Sequence, residues 1–305
     1  MQSKTKYNIS GGQVKAIFEA AGLGPVTGFE SLSDGWYNNV LDVSTTTGDC
    51  VVKIAPEPSV RVLTHEKDLL KQELRYIALL REHGVAVPEV YRSDLGKGVI
   101  PCDWFAMEKL QGLRLDKAGL KGGEKQSSRA QIQEMLAGFH AIAAEEGFGY
   151  EQMGLEPNWY LALRKIVRAL IDDCAAFSRR CPKGEKLLRM LDRHRAILEA
   201  VPGVLVNFDL HASNLFWHNG KLTAIDLERC FWGDWIGDCV YRSLPAGASR
   251  EEKIRFHLMT CYLAVIMYTE KYSRYRPWNG IWWLDVLFTF LFWHRSWPAL
   301  KLIYK

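Results

Sequence analysis

The dipeptide Asn219-Gly220 is the feature that most restricts how this chain can fold. It separates two short runs of alternating apolar and polar residues within 204–228, and Asn-Gly in that setting predicts a β-hairpin with a two-residue turn. Such a turn pairs position 218 with 221 and, counting outward, position 214 with 225. The register of the hairpin therefore decides which side chains meet at its open end.

Three polar side chains are expected close to that open end. Asn214 and Asp226 emerge there together, and Asp209 lies five residues upstream of Asn214, on the loop that leads into the hairpin. Two carboxylates brought together repel each other and lose hydration, whereas a hard divalent cation such as Mg²⁺ prefers oxygen ligands and often shares them with phosphates. We therefore predict that Asn214 and Asp226 bind Mg²⁺, and that Asp209 orients an acceptor hydroxyl and receives its proton.

The alternative is a hairpin whose polar residues are purely structural. Taken singly, Asp209, Asn214 and Asp226 are each explained more simply as a turn cap or a strand end. The spaced set Asp-x4-Asn-x11-Asp across an Asn-Gly hairpin favours the site. Strict alternation would send the side chains of 214 and 226 to opposite faces, so the strand ladder must end or twist there.

The same segment resembles a known family. Asp209-Leu-His-Ala-Ser-Asn214 and Ile225-Asp226-Leu-Glu228 are similar to the catalytic and metal-binding motifs of the aminoglycoside phosphotransferase and choline kinase-like enzymes. The resemblance implies a protein-kinase-like α+β fold, with a small β-rich N-terminal lobe and a larger, mainly helical C-terminal lobe. It also implies ATP as the phosphate donor, with GTP as an alternative, and a small-molecule hydroxyl as the acceptor. The chain departs from the family at Asn207, where a histidine is usual.

The secondary-structure patterns along the chain agree with two lobes. Strand-like runs in the first third cover 39–43, 51–54 and 104–107. One helix is predicted there from Thr64 to His83, and apolar residues recur with helical spacing from Ser127 onward. The predicted organisation is an N-terminal nucleotide-binding lobe at 1–107, a hinge at 108–112, and a helical C-terminal lobe with the catalytic loop and acceptor site at 113–305.

A strand lysine and a helix glutamate are the candidates for the phosphate-binding pair. Lys53 lies within the strand pattern 51–54, and Glu73 lies in the middle of the apolar face of the predicted helix, where a carboxylate needs a partner. Glu66, one heptad earlier, lies on the same face, and helix geometry does not separate the two acids. The family's spacing to the segment 84–88 favours Glu73.

The resemblance assigns the remaining nucleotide contacts. Gly35 and Asn38 belong to a turn similar to the loop that covers the phosphates in the family. Glu108 and Leu110 belong to a segment that resembles the hinge, where backbone groups would meet adenine.

Composition excludes several other classes of protein. The formal charge of +4 comes without a clustered Lys/Arg stripe, which argues against a nucleic-acid partner. No apolar stretch is long enough to span a bilayer, and the N-terminal residues show no apolar signal region. The seven cysteines are scattered and never closer than seven positions, which is typical of reduced thiols in a reducing compartment. These features predict a cytoplasmic protein without a membrane partner.

The sequence alone does not identify the acceptor molecule. Polycationic aminoglycosides call for an acidic pocket, yet residues 246–305 carry nine Lys and Arg against four Asp and Glu. Glu228 and Glu270 are the local acids that could contact a substrate. A choline, amino-alcohol or sugar kinase of the same fold is an alternative, as is a nucleotide-binding pseudokinase, which Asn207 supports.

Overall fold

The computed structural model describes residues 3–32, 37–181 and 183–274, together with 283, 286–287, 290–291 and 293–294. The strands are β1 (Val26–Ser31), β2 (Asn39–Thr45), β3 (Gly48–Ile54), β4 (Val90–Asp94), β5 (Trp104–Glu108), β6 (Leu113–Arg114), β7 (Val204–Val206), β8 (Leu215–His218), β9 (Lys221–Ala224) and β10 (Phe231–Gly233). The helices are α1 (Gly11–Ala21), α2 (Leu69–Glu82), α3 (Gly122–His140), α4 (Trp159–Ala176), α5 (Gly184–Arg193), α6 (Arg195–Glu199) and α7 (Arg250–Arg274).

The chain divides into two compact units that do not follow chain order. The first unit contains the chain up to Val62, then Asp68–Met135 and Ala212–Glu228; the second contains Leu63–Lys67, Leu136–His211 and the chain from Arg229. The hairpin predicted from Asn219-Gly220 thus belongs to the same unit as the N-terminal sheet. The lobe boundaries expected from the sequence stay a prediction.

A five-stranded antiparallel sheet forms the body of the first unit, in the order β1-β2-β3-β5-β4. One face of the sheet is apolar, and Val52 and Ile54 of β3 pack there in a buried core with Ile17 and Phe18 of α1. Side chains alternate between the two faces of a strand, so Lys53 points away from that core. The alternation of a single strand therefore places a lysine on the face opposite the apolar packing.

The β8–β9 hairpin has the predicted register. His218 pairs with Lys221 and Leu215 with Ala224, and the two turn residues have φ values of 48° (Asn219) and 78° (Gly220). A two-residue turn with positive φ at both positions matches the twist of the flanking strands. Gln131 of α3 accepts a hydrogen bond from Leu222 N–H (2.9 Å) and donates one to the Gly220 carbonyl (2.8 Å), which fixes the turn.

The helix expected to start at Thr64 begins instead at Leu69. Thr64–Glu66 form a separate 3₁₀ turn, and Asp68 has a φ of 56°, which no regular right-handed helix contains. The carboxylate of Glu66 accepts from the Leu63 N–H at 2.9 Å, so this turn satisfies its own backbone. The prediction was wrong by one turn because a local cap outcompetes helical continuation.

Helices α4 to α7 enclose the apolar core of the second unit. Trp159 of α4 stacks on Phe231 of β10 with ring centroids 5.2 Å apart and an interplanar angle of 4°. Strand β10 pairs antiparallel with β7, whose C-terminal end leads directly into the loop carrying Asp209. The core thus fixes the strand from which that loop departs.

Two further sequence predictions can be compared with the fold. None of the helices in the described residues is long and apolar enough to cross a membrane. All seven cysteines lie within the described residues, and none of them forms a disulfide there.

Gly112, just before β6, tests how tightly this strand packs on the hairpin. Its φ is 92°, and an added Cβ would lie against the Trp217 carbonyl and 2.8 Å from the Cβ of His218. We expect Gly112→Ala to lower the free energy of unfolding by about 2–5 kcal/mol, the sum of left-handed strain and overpacking. Gly119→Ala is the matched control, because Gly119 has a φ of 62° and no heavy atom within 4 Å of an added Cβ. The control should lose only about 1–2 kcal/mol in urea denaturation; equal losses would contradict the packing described here.

Candidate active site

A buried ion pair joins β3 to α2. Lys53 Nζ lies 2.7 and 2.9 Å from the two carboxylate oxygens of Glu73, and the side chains are 6% and 1% exposed. The expected partner of Glu73 is therefore present. Glu66, the other acid that helix periodicity allowed, lies on the separate 3₁₀ turn and pairs with Arg274. Glu73 also accepts from the Leu227 N–H at 3.2 Å, which ties the segment after the hairpin to the same carboxylate.

The end of the hairpin ladder explains how Asn214 and Asp226 reach one cavity. The Ile225 N–H donates to the Asn214 carbonyl at 3.0 Å, which is the last rung. Asp226 then adopts a φ of 62°, a left-handed conformation that interrupts the alternation of a strand. The ladder therefore ends where the sequence required it to end or twist. Residues held in such conformations are concentrated at functional sites.

Lys53 also contacts Asp226. Its Nζ lies 2.8 Å from Asp226 Oδ1, and Glu73, Asp226 and Glu228 each place one carboxylate oxygen within 4.8 Å of the others. Burial acts to lower the pKa of Lys53, but the charges of Asp226, Glu73 and Glu228 outweigh it, so the pKa is raised above its ordinary value. The lysine is thus a permanent cation surrounded by an excess of negative charge.

Asn38 and Glu228 form a second buried contact in this unit. Asn38 Nδ2 donates to Glu228 Oε2 at 2.7 Å, across 190 positions of sequence. Both side chains are buried, and both line the same cavity as Lys53 and Asp226. Gly35, predicted on the same turn as Asn38, lies outside the described residues.

The cavity of the first unit has a volume of about 390 Å³. Its apolar lining includes Val40 and Val51 from the sheet and Phe216 and Ile225 from the hairpin segment, while Lys53, Asn214 and Asp226 provide polar groups. Glu108 and Leu110 also line it. The Glu108 N–H already donates to the Glu89 carbonyl at 2.8 Å, so that N–H is not available to a ligand base.

The donor set of this cavity fits a divalent cation. Asn214 and Asp226 supply an amide oxygen and a carboxylate oxygen, the ligand atoms that Mg²⁺ prefers. The neighbouring carboxylates of Glu73 and Glu228 add negative charge that Lys53 alone does not balance. The predicted metal ligands are therefore compatible with Mg²⁺ in both atom type and charge.

The second unit holds the loop with Asp209 in a defined conformation. Phe208 has a φ of 63°, and the buried carboxylate of Asp238 accepts from the Phe208 N–H (2.8 Å) and from the Asn207 N–H (3.4 Å). The same carboxylate lies 2.8 Å from His140 Nε2. Asp238 thus holds a strained turn next to Asp209.

Asn207 supports the loop from the other side. Its Oδ1 accepts from the Asp209 N–H at 3.0 Å. The departure from the family's histidine therefore leaves a side chain that still fixes the backbone of Asp209.

Two basic side chains face the two oxygens of the Asp209 carboxylate. His211 Nε2 lies 3.4 Å from Oδ1, and Arg229 Nε lies 3.7 Å from Oδ2. Glu270, a predicted substrate contact, instead meets the guanidinium groups of Arg229 and Arg274 in the buried interior of the same unit. Nothing in the sequence pointed to Arg229 apart from its position directly after Glu228.

Several known proteins share this architecture. The chain superposes on a provisionally assigned fructosamine-3-kinase from Haemophilus somnus 129PT with a TM-score of 0.67 at 13% identity, covering 92% of this chain and 96% of that one. A provisionally assigned aminoglycoside phosphotransferase from Ralstonia eutropha JMP134 gives 0.66 at 14% identity, covering 96% and 99%. The ternary complex of streptomycin, ATP and APH(2″)-IIa gives 0.61 at 14% identity, covering 93% and 97%.

These likenesses confirm the predicted protein-kinase-like α+β fold. No curated protein matches the sequence closely enough to count as a relative. The family model described as Phosphotransferase enzyme family, by contrast, matches residues 28–248, well over half of the chain. That match agrees with the resemblance seen in the motifs at 209–228 and with the prediction of a phosphotransferase. The chain therefore belongs to the phosphotransferase enzyme family.

Proposed function

We propose that this phosphotransferase moves the γ-phosphoryl group of ATP, in the presence of Mg²⁺, onto a hydroxyl group of a small molecule. The observation that carries the proposal is the buried Lys53, which contacts both Glu73 and Asp226 at the wall of a 390 Å³ cavity. A kinase needs a cation for the phosphates, and a carboxylate that fixes that cation.

The shape and chemistry of the cavity favour a nucleotide. Its apolar lining from Val40, Val51, Phe216 and Ile225 suits the faces of a purine ring, and its polar groups suit phosphates. ATP accompanies streptomycin in the complex of APH(2″)-IIa, and GDP is present in another solved relative of the same fold. ATP is therefore the proposed donor, and GTP is the alternative that the same assay would detect.

Asn214 and Asp226 are the proposed ligands of Mg²⁺. The ion would supply positive charge to the phosphate oxygens. Lys53, fixed by Glu73, adds a second positive charge. Asn38 and Gly35 would belong to the turn that covers the phosphates.

Asp209 is the proposed catalytic base. It orients the acceptor hydroxyl, whose oxygen forms a bond to the γ-phosphorus while the bond from that phosphorus to the bridging oxygen breaks. ADP leaves, and the hydroxyl proton passes to Asp209. The transfer is direct and forms no phospho-enzyme, so the residues act by placement and electrostatics.

Asn207 supports an active enzyme over a pseudokinase. A loop that had lost its function would not need the Asn207 and Asp238 hydrogen bonds that fix Phe208 and Asp209. The acceptor class is left as an antibiotic or a metabolite, because the solved relatives include complexes with streptomycin, gentamicin and hygromycin B as well as a provisionally assigned fructosamine-3-kinase. Seven cysteines held as thiols, together with the proposed use of ATP, favour a cytoplasmic location.

The role of Asp209 is tested by Asp209→Asn. We expect the rate of transfer from γ-labelled ATP to the best acceptor of a hydroxyl library to fall about 10²–10⁴-fold, since the amide cannot accept the proton. ATP affinity measured by calorimetry should stay within twofold. Asp172→Asn, an exposed aspartate of the same unit, is the matched control and should keep full activity. Full activity in Asp209→Asn would remove Asp209 from the mechanism.

The role of Lys53 needs a variant that separates folding from chemistry. Lys53→Ala leaves the buried Glu73 and the partly exposed Asp226 without their cation and should lower the unfolding free energy by about 3–5 kcal/mol along with the transfer rate. Lys53→Met combined with Glu73→Gln removes most of that destabilisation, yet transfer should stay at least about 100-fold slower than wild type. Lys71→Ala, on the exposed face of α2, is the control. Wild-type transfer by the double variant would contradict the assignment.

Removal of divalent cations should abolish transfer, and readdition of Mg²⁺ should restore it. Asp226→Asn should raise the Mg²⁺ concentration for half-maximal activity by about tenfold or more, which corresponds to a loss of at least about 1.4 kcal/mol of binding. Asp68→Asn, an exposed aspartate of the same unit, should leave the Mg²⁺ dependence unchanged. An Asp226→Asn enzyme with an unaltered Mg²⁺ titration would exclude Asp226 as a ligand.

A further inference from the structure

A line of alternating charges runs from Asp209 into the interior of the second unit. Arg229 Nε lies 3.7 Å from Asp209 Oδ2, and Arg229 Nη2 donates to Glu270 Oε1. Glu270 Oε1 accepts in turn from Arg274 Nη2 at 3.2 Å. Arg274 then donates through Nε and Nη2 to Glu66 Oε1, at 2.9 and 2.7 Å. We call these five residues the charge relay. The name refers to their chain of contacts and implies no proton transfer.

Burial increases along this relay. The side chain of Asp209 is 18% exposed, that of Arg229 is 13%, and that of Glu66 at the far end is 0%. Four segments that are distant in sequence contribute to it: the 3₁₀ turn at 64–66, the loop with Asp209, the segment after the hairpin, and α7. The deep end is therefore held by several elements, and the accessible end is the carboxylate proposed to do the chemistry.

Two groups of the relay, Glu270 and Arg229, are held in their charged forms by the charges around them. Burial acts to raise the pKa of Glu270, but Arg229 and Arg274 outweigh it and hold the pKa well below its usual range. Burial acts to lower the pKa of Arg229, but Glu270 and Asp209 outweigh it and raise the pKa above its ordinary value. His65 also lies nearby, with Nε2 3.9 Å from Glu270 Oε1. Fixed charges with several partners each have little freedom to rotate.

A different reading of the same cluster is a metal site. His65, Glu66 and Glu270 each offer one ligand atom within 4.8 Å of the others. The guanidinium groups of Arg229 and Arg274 already contact the two carboxylates, and a further cation would be repelled by them. The charges of the cluster therefore balance one another, which favours a positioning role over metal binding.

We propose that Glu270 is a positioning residue for phosphoryl transfer, which acts by holding Arg229 against the carboxylate of Asp209. The inference rests on the proposed function, because it needs Asp209 to be the base. A single guanidinium that contacts two acids fixes the distance between them, and a planar fork does this with less loss of entropy than a flexible ammonium. Without Glu270, Arg229 can rotate away, and Asp209 loses the contact that orients one of its two oxygens.

The first variant is Glu270→Gln, which keeps the shape and removes the charge. We expect kcat to fall about 10- to 100-fold, because small displacements of a catalytic group have effects of this size. The KM for ATP should stay within twofold, since the nucleotide cavity belongs to the first unit. Glu251→Gln is the matched control: the same substitution at an exposed position in the first turn of α7, with full activity expected.

A second variant separates the positioning role from a loss of folding. Arg229→Lys keeps the positive charge, so it should melt close to wild type, but its single nitrogen cannot occupy both the Nε position that faces Asp209 and the Nη2 position that binds Glu270. We expect the same fall in kcat. In the combined variant Glu270→Gln with Arg229→Lys, kcat should fall no more than about twofold below that of Arg229→Lys alone, because the two residues act on Asp209 through one contact.

The outcomes separate this inference from the proposed function. If the wild-type chain transfers phosphate and the Glu270→Gln variant has an unchanged kcat, the positioning role alone is overturned. Fully additive losses in the combined variant do the same, because Glu270 would then act independently of Arg229. A wild-type chain that phosphorylates no acceptor overturns the proposed function and this inference together. The expected pattern is a non-additive loss in kcat with an unchanged KM for ATP.

Discussion

The cost of burying charge is the constraint on which both candidate sites depend. Lys53 is almost fully enclosed, and a lone ammonium in that position would be forced to lose its proton. It stays charged because Glu73 and Asp226 lie within 2.9 Å of it, on segments that the fold brings to the same strand. Glu73 in turn receives the Leu227 N–H, so one carboxylate fixes both the lysine and the backbone beside Asp226. Lys53 and Asp226 therefore both pair their charges with each other and line the cavity.

The second unit applies the same principle to a loop. Asp238 is buried and satisfies two backbone N–H groups around the left-handed Phe208, which compensates for the strain of that conformation. Asp209 follows directly, with its own N–H bound by Asn207. The carboxylate proposed as the base is thus supported by side chains that do not themselves need to contact a ligand.

Four acids of this chain acquire different properties from their surroundings alone. Asp226 contacts a lysine, Asp209 faces His211 and Arg229, Asp238 binds backbone N–H groups, and Glu270 is enclosed by guanidinium groups. Residue type does not distinguish them. At 13–14% identity the fold of the solved relatives is retained, which is possible because packing tolerates many apolar substitutions while buried charges need specific partners.

Local physics made part of this predictable from the sequence. The turn at Asn219-Gly220 set the register that pairs 218 with 221, and strand alternation placed Lys53 opposite the apolar face, because both depend only on neighbours in the chain. Helix periodicity could not choose between Glu66 and Glu73, since it describes a face of a helix and not what packs on that face. The start of helix α2 at Leu69, the contact of Asn38 with Glu228, and the line from Asp209 through Arg229 to Glu270 were decided by tertiary structure. Those contacts join residues separated by 20 to 190 positions, and their energy depends on burial that exists only once the chain has folded.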